Sequence, residues 1–311
     1  MSAEALPTLY PQVLRAGDAV ALVSPAGPID AGKLDAAVEV LKGWGLKPRV
    51  YPHALGRESF YSGKDEDRLA DLNHALADPE MRAVLCNRGG YGLQRIVQGV
   101  DIEAVRRDPK LVTGFSDVTA LHGALWRHAR LATVHGPVAT QLGQNSAFAR
   151  GMQHVLMSAE PVVLAAQNDV VTFGVRTGGR AEGVLLGGNL CMLSSSIGTP
   201  FMPDLTGAIL LLEEVNEPAY RVDRMLTHLL NCNILQQLAG IALGDFSAPA
   251  NAAGSITPTQ VLAERLEGLG IPVLGGLPVG HGALNQAVPL GSHATLDVDE
   301  GTLMVAAAAR L

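Results

Sequence analysis

Leu111-Val112-Thr113-Gly114-Phe115-Ser116-Asp117-Val118-Thr119-Ala120 is the stretch on which the fold turns. An apolar run stops at Gly-x-Ser and a helical pattern begins at once, which predicts a buried strand, a tight turn and then a helix. Such a turn lifts the Ser116 hydroxyl clear of the sheet, and the first free amides of the helix can receive an anion. The same residues also suit an ordinary helix N-cap, in which the hydroxyl satisfies one free amide. The fifth position of the usual Gly-x-Ser-x-Gly elbow is Val118, not glycine. Ser116 is therefore either a nucleophile whose base and acid lie elsewhere, or a cap.

Strand and helix alternate on both sides of this stretch. The pattern predicts a strand over Asp18 to Ala26, a helix over Asp30 to Trp44 with Leu34, Ala37, Val38 and Leu41 on one face, and a strand over Pro48 to Tyr51. A helix over Asp65 to Ala77 and short strands over Ala83 to Asn87 and Thr133 to His135 follow. Alternation of this kind predicts an α/β fold with a parallel sheet covered on both faces. Composition shifts after about residue 150. Ala208 to Leu212 and Ile241 to Gly244 read as strands, Tyr220 to Leu230 and Pro258 to Leu266 as helices, and the runs 287–290, 294–298 and 302–305 as a β-rich ending. Two α/β domains are expected, one over 1–160 carrying Ser116 and one over 175–311, joined near 155–175.

The 311 residues are 48% hydrophobic and 17% charged, enough to fill sizeable cores and too apolar for a disordered chain. The net charge of −7, with no basic block, disfavours nucleic-acid binding. No apolar run reaches the length of a membrane span, and Met1 to Arg15 lacks the pattern of a signal peptide, so a cytoplasmic protein without a membrane partner is expected. Cys86, Cys191 and Cys232 are widely spaced in apolar surroundings, which fits buried reduced thiols better than disulfides or zinc. No cofactor or metal is expected.

Three further constellations could carry chemistry. Arg88-Gly89-Gly90-Tyr91-Gly92 follows a strand, where glycines let backbone amides approach an anion; an oxyanion donor at Gly90 and a plain tight turn both fit. Ile209-Leu210-Leu211-Leu212-Glu213-Glu214 ends an aliphatic run in carboxylates, with Glu213 the first polar group, either facing a cleft or solvated at a strand end. Gly280-His281-Gly282 leaves an imidazole unshielded, as a base or as an exposed loop histidine, and His135, ending its own strand, is the rival. Ser116, Glu213 and His281 together are the parts needed for general-base activation of a hydroxyl.

These segments resemble the LD-carboxypeptidase family of serine peptidases, which includes the microcin self-immunity peptidases. The matching stretches are RGGYG at 88–92, GFSDVTALH at 114–122, HGP at 135–137, GGNLCML at 187–193 with IGTPFMP at 197–203, LLLEEVNEPAYRVDRML at 210–226, and GLPVGH at 276–281, in family order over most of the chain. The resemblance implies a Rossmann-like N-terminal domain akin to class I amidotransferases and a mixed α/β C-terminal domain with a cleft between them. It implies Ser116 as nucleophile, Glu213 as triad acid, His281 as triad base, and the backbone amides of Gly90 and Asp117 as the oxyanion hole, with His135 at a recurrent position that is not the base. It further implies a metal-free homodimer that removes the terminal D-Ala from a cytoplasmic murein tetrapeptide through an acyl-enzyme. A peptidyl-nucleotide antibiotic is the alternative substrate, and it would call for an aromatic platform of which Trp44 and Trp126 are poor candidates. A non-catalytic binding module on the same scaffold is the third reading. The substrate carboxylate calls for a cationic or amide-rich partner, with Arg88 and Arg221 as candidates, and the segments His53–Lys64 and Phe246–Thr257 are candidates for setting the substrate. Because the base must be neutral, activity is expected to fall below about pH 6.5.

Overall fold

The computed structural model describes residues 7–247 and 256–311. The first part of the chain builds the strands β1 (Ala19–Val23), β2 (Lys47–Val50), β3 (Met81–Cys86), β4 (Leu111–Gly114) and β5 (Thr133–His135). They pair in parallel in the order β5-β4-β3-β1-β2. The crossover helices Ala31–Gly43, Asp65–Ala77 and Thr119–Ala129 cover them. Asp30 starts the first of these by accepting the Lys33 N–H, and Leu34, Ala37 and Leu41 form its buried stripe. The inner strands β1, β3 and β4 are largely apolar and buried because both faces are covered, whereas the edge strand β2 is mostly exposed.

The later part forms β6 (Val162–Ala165), β7 (Arg180–Asn189), β8 (Ile209–Val215), β9 (Gly240–Ser247), β10 (Val273–Leu274), β11 (Val288–Leu290), β12 (His293–Asp297) and β13 (Thr302–Val305). The second sheet runs β10-β9-β8-β7-β12-β13-β6, parallel from β10 to β7 and antiparallel beyond. The fold is thus a Rossmann-like sheet joined to a mixed α/β unit. One apolar cluster runs through both sheets, from Val20, Leu85 and Val134 to Leu185, Ile209 and Leu303.

Several details depart from the sequence reading. The first sheet is not wholly parallel: β11 returns from the C-terminal part and pairs antiparallel with β5. β8 does not end at Leu212 but continues through both glutamates to Val215. No strand leads directly into His281; β10 stops at Leu274, and the intervening segment is pinned by Leu277 N–H to Leu243 O and Asp245 N–H to Val279 O. β7, with ten residues, went unread because Gly183, Gly187 and Gly188 interrupt its apolar pattern. Of the three free cysteines, Cys86 is buried, Cys191 half-buried and Cys232 exposed rather than buried. Among the described residues no helix is long and apolar enough to cross a membrane.

Candidate active site

The turn after β4 has the conformation its sequence suggested. Ser116 takes φ +63°, a left-handed backbone that a serine adopts only when its surroundings enforce it. One turn of 3₁₀ helix over Ser116–Val118 leads into the helix Thr119–Ala129. The loop after β3 lies against this turn: a Cβ added at Gly89 would fall 2.8 Å from Ser116 Cβ and 3.2 Å from its Oγ. Glycine at 89 is therefore what admits the backbone of the Arg88–Tyr91 loop to the serine.

Asp117 ties the two segments together. Its buried carboxylate accepts the Leu93 N–H at 2.8 Å and the Gly92 N–H as well. Burial pushes its pKa up, while these hydrogen bonds and the charge of Arg68 oppose the rise. The side chain of Asp117 is a part of the site that the sequence reading did not single out.

Glu213 sits at an irregularity in the sheet. The pairing of β8 with β9 advances from Leu212↔Leu243 to Glu214↔Phe246, so two residues of β9 lie opposite Glu213 alone. A bulge of this kind re-aims side chains, and here it leaves both glutamates buried. Glu213 Oε2 meets His281 Nδ1 at 2.6 Å. Gly280 (φ +108°) makes room for this contact, since a Cβ there would fall 2.7 Å from Glu213 Oε2. Asn285 Oδ1 accepts the Gly280 N–H at 3.1 Å and holds the loop. With Nδ1–H donated to the carboxylate, Nε2 carries the lone pair of the neutral ring. Burial lowers the His281 pKa, but the hydrogen bond and charge of Glu213 outweigh it, and the net value lies above that of an ordinary histidine.

Ser116 and His281 line one cleft of ≈ 630 Å³, together with Gly89, Gly90 and Phe115. The Phe115 ring packs 4.6 Å from the His281 ring, between centroids. Among the described residues Ser116 and His281 share no hydrogen bond; catalytic contacts of this kind commonly tighten only when substrate is bound. Glu214, on the opposite side of β8, accepts from Asn189 Nδ2 at 2.9 Å and from the Cys191 N–H at 2.8 Å, and so fixes the start of the helix Leu190–Ser196. Burial raises its pKa against those bonds.

The rival histidine does not line the cleft. His135 is fully buried, and neither ring nitrogen has a hydrogen-bond partner among the described residues. Burial first, then the neighbouring His122 and His281, hold its pKa well below the usual value. Of the two candidate cations for substrate, Arg88 lines the cleft, whereas Arg221 does not and pairs with Glu217 at 2.9 Å. Arg57, from the segment His53–Lys64, also lines the cleft; most of the other candidate segment for setting the substrate, 248–255, lies outside the described residues. Lys33, Gln141 and Gln144 line the cleft too, and nothing local in their sequences marks them.

Residues 20–136 match the family model described as the LD-carboxypeptidase N-terminal domain, and residues 182–296 match the one described as the LD-carboxypeptidase C-terminal domain. A Bacillus subtilis protein named as a probable murein peptide carboxypeptidase is 35% identical over 300 residues, covering 96% of this chain and 94% of its own. The murein tetrapeptide carboxypeptidase of Pseudomonas aeruginosa is 36% identical over 285 residues, covering 89% of this chain and 92% of its own. The crystal structure of a muramoyltetrapeptide carboxypeptidase from Oxalobacter formigenes superposes with a TM-score of 0.81 at 28% identity, covering 92% of this chain and 97% of that one. The microcin C7 self-immunity protein MccF shares the fold, with a TM-score of 0.86 at 22% identity over 96% of this chain and 98% of its own. The chain belongs to the LD-carboxypeptidase family, a family of peptidases, as the sequence resemblance indicated.

Proposed function

We propose that this LD-carboxypeptidase removes the terminal D-Ala from murein tetrapeptide in the cytoplasm, by a Ser116–His281–Glu213 triad drawn from an N-terminal domain over 1–160 and a C-terminal domain over 175–311. The observation that carries the reading is the 2.6 Å contact of Glu213 with His281 at a cleft shared with a Ser116 held in left-handed backbone. His281 Nε2 takes the Ser116 proton as Oγ attacks the carbonyl preceding D-Ala. The backbone N–H groups of Gly90 and Asp117 receive the oxyanion, and His281 then protonates the departing D-Ala amine. Water, activated by the same ring, hydrolyses the acyl-enzyme. Glu213 fixes the imidazole tautomer and stabilises its cation.

The murein relatives support this substrate over a peptidyl-nucleotide. So do the tryptophans: Trp126 is buried and Trp44 packs on the core, and neither lines the cleft. Incubation with murein tetrapeptide should release tripeptide and free D-Ala. Hydrolysis of an aminoacyl-nucleotide with no D-Ala release from the tetrapeptide would turn the assignment to the immunity-type activity.

A further inference from the structure

The cleft around Ser116 is cationic although the protein is acidic overall. Lys33, Arg57 and Arg88 all line it, from three separate segments. Among the described residues none of the three forms an ion pair, whereas cations elsewhere commonly do, as in Arg49 with Asp78 and Glu80 or Arg82 with Asp108. The carboxylate lining the same cleft is Asp30, and its Oδ1 accepts the Lys33 N–H at 3.1 Å as a helix cap. Arg88 is anchored, not free to swing: its Nη1 donates to Pro28 O at 2.7 Å. That bond leaves Nε and the Nη2 edge of the guanidinium fork for an oxyanion.

We propose that Lys33, Arg57 and Arg88 are the carboxylate-binding groups of this cleft, and that the protein selects peptides carrying at least two free carboxylates. This deepens the carboxypeptidase reading and rests on it. The leaving residue's carboxylate lies one Cα beyond the scissile nitrogen, so its partner must stand beside the reacting carbonyl. Arg88 is the group placed for this, because it lines the same cleft as Ser116 and directly precedes Gly89, the residue that lies against the serine. Lys33 and Arg57 take carboxylates farther along the acyl portion of the peptide. A murein tetrapeptide offers such groups on its γ-linked glutamate and, where present, its diaminopimelate. Three cations against the one lining carboxylate, Asp30, also draw an anionic peptide from solution, an attraction that salt weakens.

The test separates binding from turnover. Calorimetry on full-length Ser116→Ala protein measures the Kd of murein tetrapeptide and of analogues in which one carboxylate at a time is an amide. Amidating the terminal carboxylate should weaken binding about tenfold, and Arg88→Gln should do the same, with no further loss when the two are combined. Lys33→Gln and Arg57→Gln should show the same coupling with an internal amide, not with the terminal one. In otherwise unaltered protein Arg88→Gln should raise KM more than it lowers kcat. Equal affinity for acids and amides, or losses that simply add, overturns the carboxylate-binding role of the three cations. If the unaltered protein binds the free acids preferentially yet releases no D-Ala, the carboxylate-binding role stands and the proposed reaction falls. Circular dichroism of each variant shows whether it is folded before its Kd is read.

Discussion

At the residue scale the proposed triad is one alcohol, one imidazole and one carboxylate, and each makes its own prediction. Ser116→Ala removes the attacking oxygen while leaving the turn, so tetrapeptide turnover should fall by about 10³ or more with the far-ultraviolet circular dichroism unchanged. Retained turnover would dismiss Ser116 as nucleophile. His281 acts as a base only when neutral. Because its pKa lies above the ordinary 6.5, the acid limb of kcat/KM should have its midpoint above pH 6.5, higher than the sequence alone led one to expect. Glu213→Gln removes the charge that outweighs burial, so the same limb should move toward lower pH while kcat falls by about 10²–10⁴. A pH profile unaffected by that substitution would detach Glu213 from the base.

At the element scale, the proposed triad requires two turns and a bulge to be held against one another. The Arg88–Tyr91 loop can touch the serine only while residue 89 has no side chain, so Gly89→Ala should displace backbone at both Gly89 and Ser116. We expect a folded protein with kcat reduced by about 10²-fold, read by turnover alongside thermal melting; wild-type turnover would mean that the loop does not carry the oxyanion site. These elements were unequally legible in the sequence. The helix Asp65–Ala77, the strand Thr133–His135 and the helix Pro258–Leu266 match their readings end to end; Pro79 stops the first, and the Thr257 cap with Pro258 starts the last. β7 was hidden by its glycines, and the bulge at Glu213 has no local signature, since it depends on how β9 lies beside β8. For the same reason Asp117 could be read as a backbone donor but not as a buried acceptor for Gly92 and Leu93, which are some two dozen residues away in sequence. Lys33 and Arg57 look like any surface cation until the fold brings them to one cleft.

At the scale of the whole molecule, the two sheets share one apolar core, and β11 crosses from the later part to close the edge of the first sheet on β5. Buried beneath the cleft on the side of that first sheet are two histidines that the proposed reaction does not use. His122 Nε2 donates to Gly114 O, 2.9 Å away, and burial lowers its pKa to about 4; burial and its histidine neighbours hold His135 well below the usual value. Both are neutral when folded, and both bind a proton near pH 6.5 when unfolded. Below pH 6.5 the unfolded chain therefore holds more protons at these sites, and stability falls as the pH drops. His281 acts in the opposite sense, since its raised pKa favours the folded state at low pH and that contribution is lost as pH rises through it. Two fully buried rings outweigh one half-buried ring. For His122 alone the loss amounts to about 3 kcal/mol by pH 4. The melting temperature should thus fall steadily from about pH 6.5 toward 4. In His135→Gln, whose amide cannot take up a proton, the fall should be shallower even if the variant melts lower at pH 7. Parallel pH curves for the two proteins would show that His135 is not a source of the acid sensitivity.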